Sequence, residues 1–220
     1  MTTDLTPHLF WITSRAAGFA ALIVASLAVS LGLLMSTKLL RRRGPDLIAA
    51  HEVLSLATIV AIAVHGLALL GDQYLHPSLA DIAIPFVGSY KSVWTSLGIV
   101  SGWGLILLGI SYYARSRIGA KRWRKLHRFT AAAWLLGLAH ALGEGTDAGQ
   151  LWFLSMVAIV VIPALGLLAA RLTGAGRRLP AGGLTASGAP RADARDVPAR
   201  PVATPGVSVA GIPTGTPGRA

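Results

Sequence analysis

The chain has 220 residues, of which 53% are hydrophobic and 13% charged, and its mean hydropathy is +0.60. That is too apolar for an ordinary soluble domain and points to a polytopic membrane protein. Cysteine is absent, which excludes disulfides, thiolate metal sites and covalently attached c-type haem. The net charge of +11 is carried by short basic clusters between apolar segments, the pattern of a positive-inside bias rather than of nucleic-acid binding.

The opening stretch MTTDLTPHLFW has no basic n-region, so the first apolar run is expected to stay as a helix and not to be cleaved. Segment one, residues 9 to 36, is long enough to span a bilayer. Lys38, Arg41, Arg42 and Arg43 follow it, which places its end in the cytoplasm and the N-terminus outside. After a turn at Gly44-Pro45, segment two, residues 47 to 70, returns outward carrying His51 and His65. Residues 71 to 92 hold Asp72, His76, Asp81 and a single lysine, Lys91, and read as an external loop with room for a short surface helix. Segment three, residues 93 to 114, runs inward to the densest basic cluster, Arg115, Arg117, Lys121, Arg122, Arg124, Lys125 and Arg128.

Segment four is short. Its purely apolar part, Phe129 to Leu142, cannot span alone, so its helix is expected to begin upstream near Trp123, with the basic side chains snorkelling to the inner surface. It carries His127 and His140, and the acidic, glycine-rich GEGTDAGQ follows it. Segment five, residues 151 to 172, returns inward to Arg171, Arg177 and Arg178, with Pro163 expected to kink it. The fold class is therefore an all-α polytopic helix bundle in the plasma membrane, with about five transmembrane helices and the N-terminus outside. Residues 1–172 form the membrane domain. Residues 173–220, rich in Gly, Ala, Pro, Thr and Arg, read as a disordered cytoplasmic tail.

The histidines carry the chemistry. His51 and His65 are 14 residues apart, His127 and His140 are 13 apart, so each pair covers roughly 20 Å along a helix. Segments two and four run in the same direction, which makes two layers: His51 with His127, and His65 with His140. Ionisable groups at membrane depth are costly and usually functional. Two facing imidazoles form the axial ligand set of a six-coordinate haem b, whose porphyrin supplies the other four ligands. They make a poor site for a bare metal ion. Angular phase puts His51 and His65 on one face, within about 40°, but leaves about 140° between His127 and His140. Either His127 lies in an irregular first turn or the helix is distorted, with Gly137 one place for it. Glu52 points away from His51 and reads as capping or interfacial. Arg15 is a candidate partner for the propionates of the outer haem, and Arg124, Lys125 and Arg128 for those of the inner one. Trp134 lies between the layers, where it is a core aromatic or a bridge between haems. His8 and His76 read as external.

These features resemble the ferric reductase-like transmembrane domain family, which includes NADPH oxidases, yeast-type ferric reductases and a bacterial haem b subunit of the periplasmic methionine-sulfoxide reductase system. The resemblance covers residues 9 to 172. WITSRAAG, HEVLSLATIVAIAVHG and KLHRFTAAAWLLGLAHALGEGTD look particularly like stand-alone bacterial members, actinobacterial ones above all. It implies that His51 and His127 hold an inner haem b and His65 and His140 an outer one, that the metal is the haem iron, and that electrons cross the membrane to an acceptor at the outer face: a ferric chelate, oxygen or a partner redox protein. The chain departs from the oxidases in showing no glycine-rich dinucleotide fingerprint. The implied donor is therefore separate: a flavin- or nicotinamide-dependent reductase, free reduced flavin or quinol. The competing expectation is a non-redox metal-ion or proton permease that uses the intramembrane histidines, against which stands the lack of a mid-membrane carboxylate.

Overall fold

The computed structural model describes residues 8–37, 44–145 and 147–174, and these are helical with no strand among them. The helices are α1 (Leu9–Ser36), α2 (Pro45–Leu69), α3 (Leu79–Ala83), α4 (Ser92–Ile110), α5 (Arg115–Ile118), α6 (Ala120–His127), α7 (Thr130–Glu144) and α8 (Leu151–Thr173). The basic run Lys38 to Arg43 and the tail from 175, including Arg177 and Arg178, lie outside the described residues.

Four of these helices, α1, α2, α4 and α8, are long and apolar enough to cross a membrane. The fifth expected span is divided. α7 has 15 residues, about 22 Å of helix, short of the roughly 30 Å hydrocarbon core. The amphipathic α6 precedes it, beginning at Ala120 rather than near Trp123. The two are separated at Arg128–Phe129 by a tight turn in which the Phe129 amide donates to the Leu126 carbonyl at 2.9 Å. The phase problem of a single straight helix through His127 and His140 is thus removed at residues 128–129, not at Gly137. Pro163 lies inside α8 without ending it.

α1 is the central helix. Leu22, Ala25, Val29 and Leu33 recur at helical spacing on its buried face. Ala25, Val29 and Leu33 pack with Trp134 of α7 and Val161 and Ala164 of α8 in the main core cluster. α1 also lies along α2, and α4 lies along α7. Small residues permit the second contact: a Cβ on Gly104 would meet the Ala133 methyl at 2.9 Å, and one on Gly137 would meet the Ser101 hydroxyl at 2.6 Å. Close approach of this kind replaces the hydrophobic drive that helices lose in lipid. Many large apolar side chains face outward, among them Val53, Val60 and Leu67 of α2 and Leu107 of α4, as a lipid-facing surface requires.

The connection between α2 and α4 folds against the bundle. Asp72 Oδ1 accepts from the Tyr74 and Leu75 amides at 2.7 and 3.1 Å. Ser78 and Asp81 form a reciprocal capping box that starts α3, the short helix expected in this loop. The Trp103 indole of α4 donates to the Ala83 carbonyl at 2.9 Å, and the Phe86 amide donates to Ser96 Oγ at 2.7 Å. These bonds hold the loop beside the end of the bundle opposite α5 and α6.

Candidate functional site: two facing imidazole pairs

α2 delivers His51 and His65 to one side of the bundle interior, and α6 and α7 deliver His127 and His140 to the other. The structure brings them together as two pairs. The His51 and His127 rings stand 6.2 Å apart between centroids, and the His65 and His140 rings also stand 6.2 Å apart. The first pair lies at the end that carries the basic residues of α5 and α6, and is called the basic-end pair below. The second lies toward the opposite end.

Three of the four rings are anchored in the same way. Nδ1 of His65 bonds the Ser14 carbonyl at 2.8 Å, Nδ1 of His51 bonds the Ala28 carbonyl at 3.0 Å, and Nδ1 of His140 bonds the Trp94 carbonyl at 2.9 Å. A carbonyl partner requires Nδ1 to be the protonated nitrogen, which leaves Nε2 as the free base. Four residues after each of these carbonyls, one turn further along the neighbouring helix, stands a glycine. A Cβ on Gly18 would lie 3.0 Å from His65 Nδ1, one on Gly32 3.0 Å from His51 Cε1, and one on Gly98 2.6 Å from His140 Nδ1. The imidazole therefore occupies space that a side chain would fill. Ser14, which is buried, adds a further hold by donating from Oγ to the His65 carbonyl at 2.9 Å.

These anchors were not found by reading histidines alone, but they carry a signal. Gly18 and Gly32 are 14 apart, like His51 and His65, and so are the acceptor residues Ser14 and Ala28. The same interval on α4 runs from Trp94 to Leu108, which lies against His127. The hairpin of α1 with α2 and that of α4 with α7 are thus built on one plan.

The other expected residues are placed as follows. Arg15 forms an ion pair with Asp147, and its guanidinium lies 4.2 Å over the Trp11 ring. Trp134 is 1% exposed, and its indole donates to the buried Ser26 Oγ at 3.0 Å. Its place in the chain is between the levels of the two pairs. Glu52 turns from the histidines and accepts from the Tyr113 hydroxyl at 2.7 Å. His8 stands at the N-cap position of α1 with no side-chain capping bond, and His76 sits in the α2–α3 loop at φ +44°. Arg124, Lys125 and Arg128 are exposed.

A cavity of about 710 Å3 contains His65 and His140 and extends from Trp134 to Arg15, Glu144 and Asp147. That volume suits a cofactor-sized guest. Among the described residues no three His, Cys, Asp or Glu side chains converge as a metal site, so each pair can offer a metal only two protein ligands. A metal–imidazole bond of about 2 Å plus roughly 1.2 Å from nitrogen to ring centre, taken on both sides of one ion, gives about 6.4 Å between centroids. The observed 6.2 Å in both pairs matches that separation. With Nδ1 anchored and a glycine making room at three of the four rings, the residues fit a macrocycle-borne metal.

The fold and these pairs define a polytopic helical membrane protein with facing imidazoles at two depths of the bundle. The chain belongs to the ferric reductase-like transmembrane family: the family described as ferric reductase like transmembrane component matches residues 17–138, more than half of the chain. The match includes His51, His65 and His127 and stops two residues before His140. Domains of this family are generally redox-active and bind haem, and membership suggests transmembrane electron transfer. No curated protein and no solved structure matches the chain.

Proposed function

We propose that the protein is a transmembrane electron-transfer haem b protein. It passes electrons from a cytoplasmic or quinol donor to an acceptor at the outer face, which is a ferric chelate, oxygen or a partner redox protein. The observation that carries this reading is the repeated 6.2 Å separation of two imidazole pairs, at two depths of one membrane domain.

In this reading His51 and His127 hold one haem b, and His65 and His140 hold a second. When bound, each supplies a one-electron carrier whose potential the protein tunes by burial and ligand hydrogen bonds. The contribution of the chain's own residues follows from their bonds. The Ala28, Ser14 and Trp94 carbonyls hold three rings in one tautomer and orientation, which leaves Nε2 as the nitrogen able to bind a metal. Arg15 stands beside the cavity of the second pair, and its ion pair with Asp147 marks where it meets an anion; a haem propionate would be a further one. The bilayer excludes water from the helices between the two layers.

The basic α5–α6 segment supports a cytoplasmic assignment for the His51–His127 end, with the N-terminus outside. The same charge would steer an acidic reductase or an anionic flavin or nicotinamide carrier to that end. A separate reductase, free reduced flavin or quinol is the donor in this reading.

The test is an optical spectrum of the purified full-length protein, oxidised and dithionite-reduced, with pyridine haemochrome quantification. About two haem b per chain is the expected result. His65→Ala and His140→Ala should each lose one haem and keep the other. Unchanged haem content in both variants refutes the pairing, and no haem after expression with ample haem refutes the redox reading in favour of a permease.

A further inference from the structure

Three of the four imidazoles are held by a carbonyl of the neighbouring helix with a glycine one turn further on. His127 is held by a different device. The equivalent carbonyl is that of Leu108, and His127 donates to it. The place of the glycine, four residues on, is taken by Tyr112. Between them stands Ser111, at the C-cap of α4. Its Oγ donates to the same Leu108 carbonyl at 2.6 Å and accepts the Trp123 indole N–H at 3.2 Å. A carbonyl oxygen has two lone pairs, so that of Leu108 can serve both donors.

Trp123 and His127 lie one turn apart on α6, and their rings stack, 4.9 Å between centroids and 22° between planes. The circuit therefore closes. His127 meets the Leu108 carbonyl, Leu108 meets Ser111, Ser111 meets Trp123, and Trp123 lies back on His127. A hydrogen bond at Nδ1 alone leaves the imidazole free to turn about that bond; an aromatic ring on its face stops the turn. Thr130 Oγ1, 3.5 Å from Nδ1, is at the outer limit of a hydrogen bond and adds little. α6 has no buried side chain, so packing does not fix its orientation, and the polar tie to α4 does. The His127 plane stands at 87° to that of His51, against 68° in the His65–His140 pair.

We propose that Ser111 is a positioning residue: by joining Trp123 to the Leu108 carbonyl, it fixes the plane of His127 across that of His51. This rests on the haem reading above. Residues that bond a metal-ligating histidine set its ring orientation. Two imidazoles on one ferric ion give a strongly anisotropic low-spin electron paramagnetic resonance signal when their planes cross, and a rhombic one when they are coplanar. The angle is therefore readable in the oxidised protein.

The test is that spectrum of the purified, oxidised full-length protein, with haem counted by pyridine haemochrome. The double variant His65→Ala/His140→Ala assigns the signal of the basic-end pair, which should be strongly anisotropic in wild type. Ser111→Ala should keep two haems and move this signal toward the rhombic type, leaving the other unchanged. Ser111→Thr, which retains the hydroxyl, should restore it. Trp123→Phe keeps an aromatic ring but loses the N–H, and should shift the signal in the same direction. Ser111→Ala/Trp123→Phe should move it no further than Ser111→Ala alone, because both act through one hydrogen-bonded unit. Loss of the basic-end haem alone in Ser111→Ala, restored by Ser111→Thr, also supports the proposal. An unchanged signal in Ser111→Ala overturns it, as does a rhombic basic-end signal in wild type. Equal shifts at both pairs, or loss of both haems, overturn it too, since they assign Ser111 to the stability of the whole bundle. Wild type that takes up no haem overturns the proposed function itself.

Discussion

In the proposed two-haem arrangement, Gly98→Ala should release the haem of the His65–His140 pair while sparing the other. The added methyl would lie 2.6 Å from His140 Nδ1, 2.7 Å from Cε1 and 2.8 Å from Cγ, so the collision is with the whole ring edge and no rotation about one bond relieves it. The ring must retreat by about 0.8 Å to regain ordinary contact, near 3.4 Å or more. Its Nδ1 bond to the Trp94 carbonyl, 2.9 Å long, then stretches out of range, and Nε2 is displaced from the partner ring. Loss of one neutral hydrogen bond costs about 1 kcal/mol, and disturbing a residue that orients a metal ligand lowers metal affinity about 10- to 100-fold. The assay is haem transfer to excess apomyoglobin, followed with haem content per chain. Gly102→Ala is the matched control. It stands one turn along the same helix, its Cβ would meet only Ile62 Cγ2 at 3.4 Å, and it gains the same helix propensity of about 1 kcal/mol. Haem retention in Gly98→Ala equal to that of Gly102→Ala would refute the reasoning that the glycine makes room for the imidazole.

Two further outcomes follow from other parts of the structure. Trp134→Phe removes the indole donor from buried Ser26 but leaves the Ser26 bond to the Leu22 carbonyl at 2.7 Å. A stability loss of about 1–2 kcal/mol, seen as a lower unfolding temperature in detergent with haem content unchanged, is expected; loss of both haems instead would show that Trp134 shapes the sites. In the α2–α4 loop, Ser78 hydrogen bonds hold the Asp81 carboxyl below its ordinary range. A folded-state value below the unfolded one means that the capping contribution is present at neutral pH and is lost as pH falls through the carboxylate range. The protection of the α3 amides relative to intrinsic exchange at each pH should therefore fall on acidification in wild type and show no such pH step in Asp81→Asn.

Much of the architecture was legible because membrane helices obey a simple constraint. Backbone groups in lipid must be satisfied within the segment, so long apolar runs such as 9 to 36 and 151 to 172 have few alternatives to helix. The sequence left room for a short surface helix in the 71 to 92 loop, and the Ser78–Asp81 capping box starts it at Leu79–Ala83. The fourth segment was less legible. Its length could be counted, but the break at Arg128–Phe129 comes from residues with no Pro or Gly to mark it. The phase mismatch between His127 and His140 was the one trace of it.

By itself the sequence determined that helices would form, roughly where, and that four histidines would fall at two heights, since rise per residue converts spacing directly into depth. Only the tertiary structure decided how each imidazole is held. Ser14 and Ala28 act through backbone carbonyls, which every residue has, and Gly18, Gly32 and Gly98 act by the side chain they lack. Neither kind of contribution is written in a residue's own chemistry. It exists only when another helix lies close enough to use it, and that closeness is a property of packing.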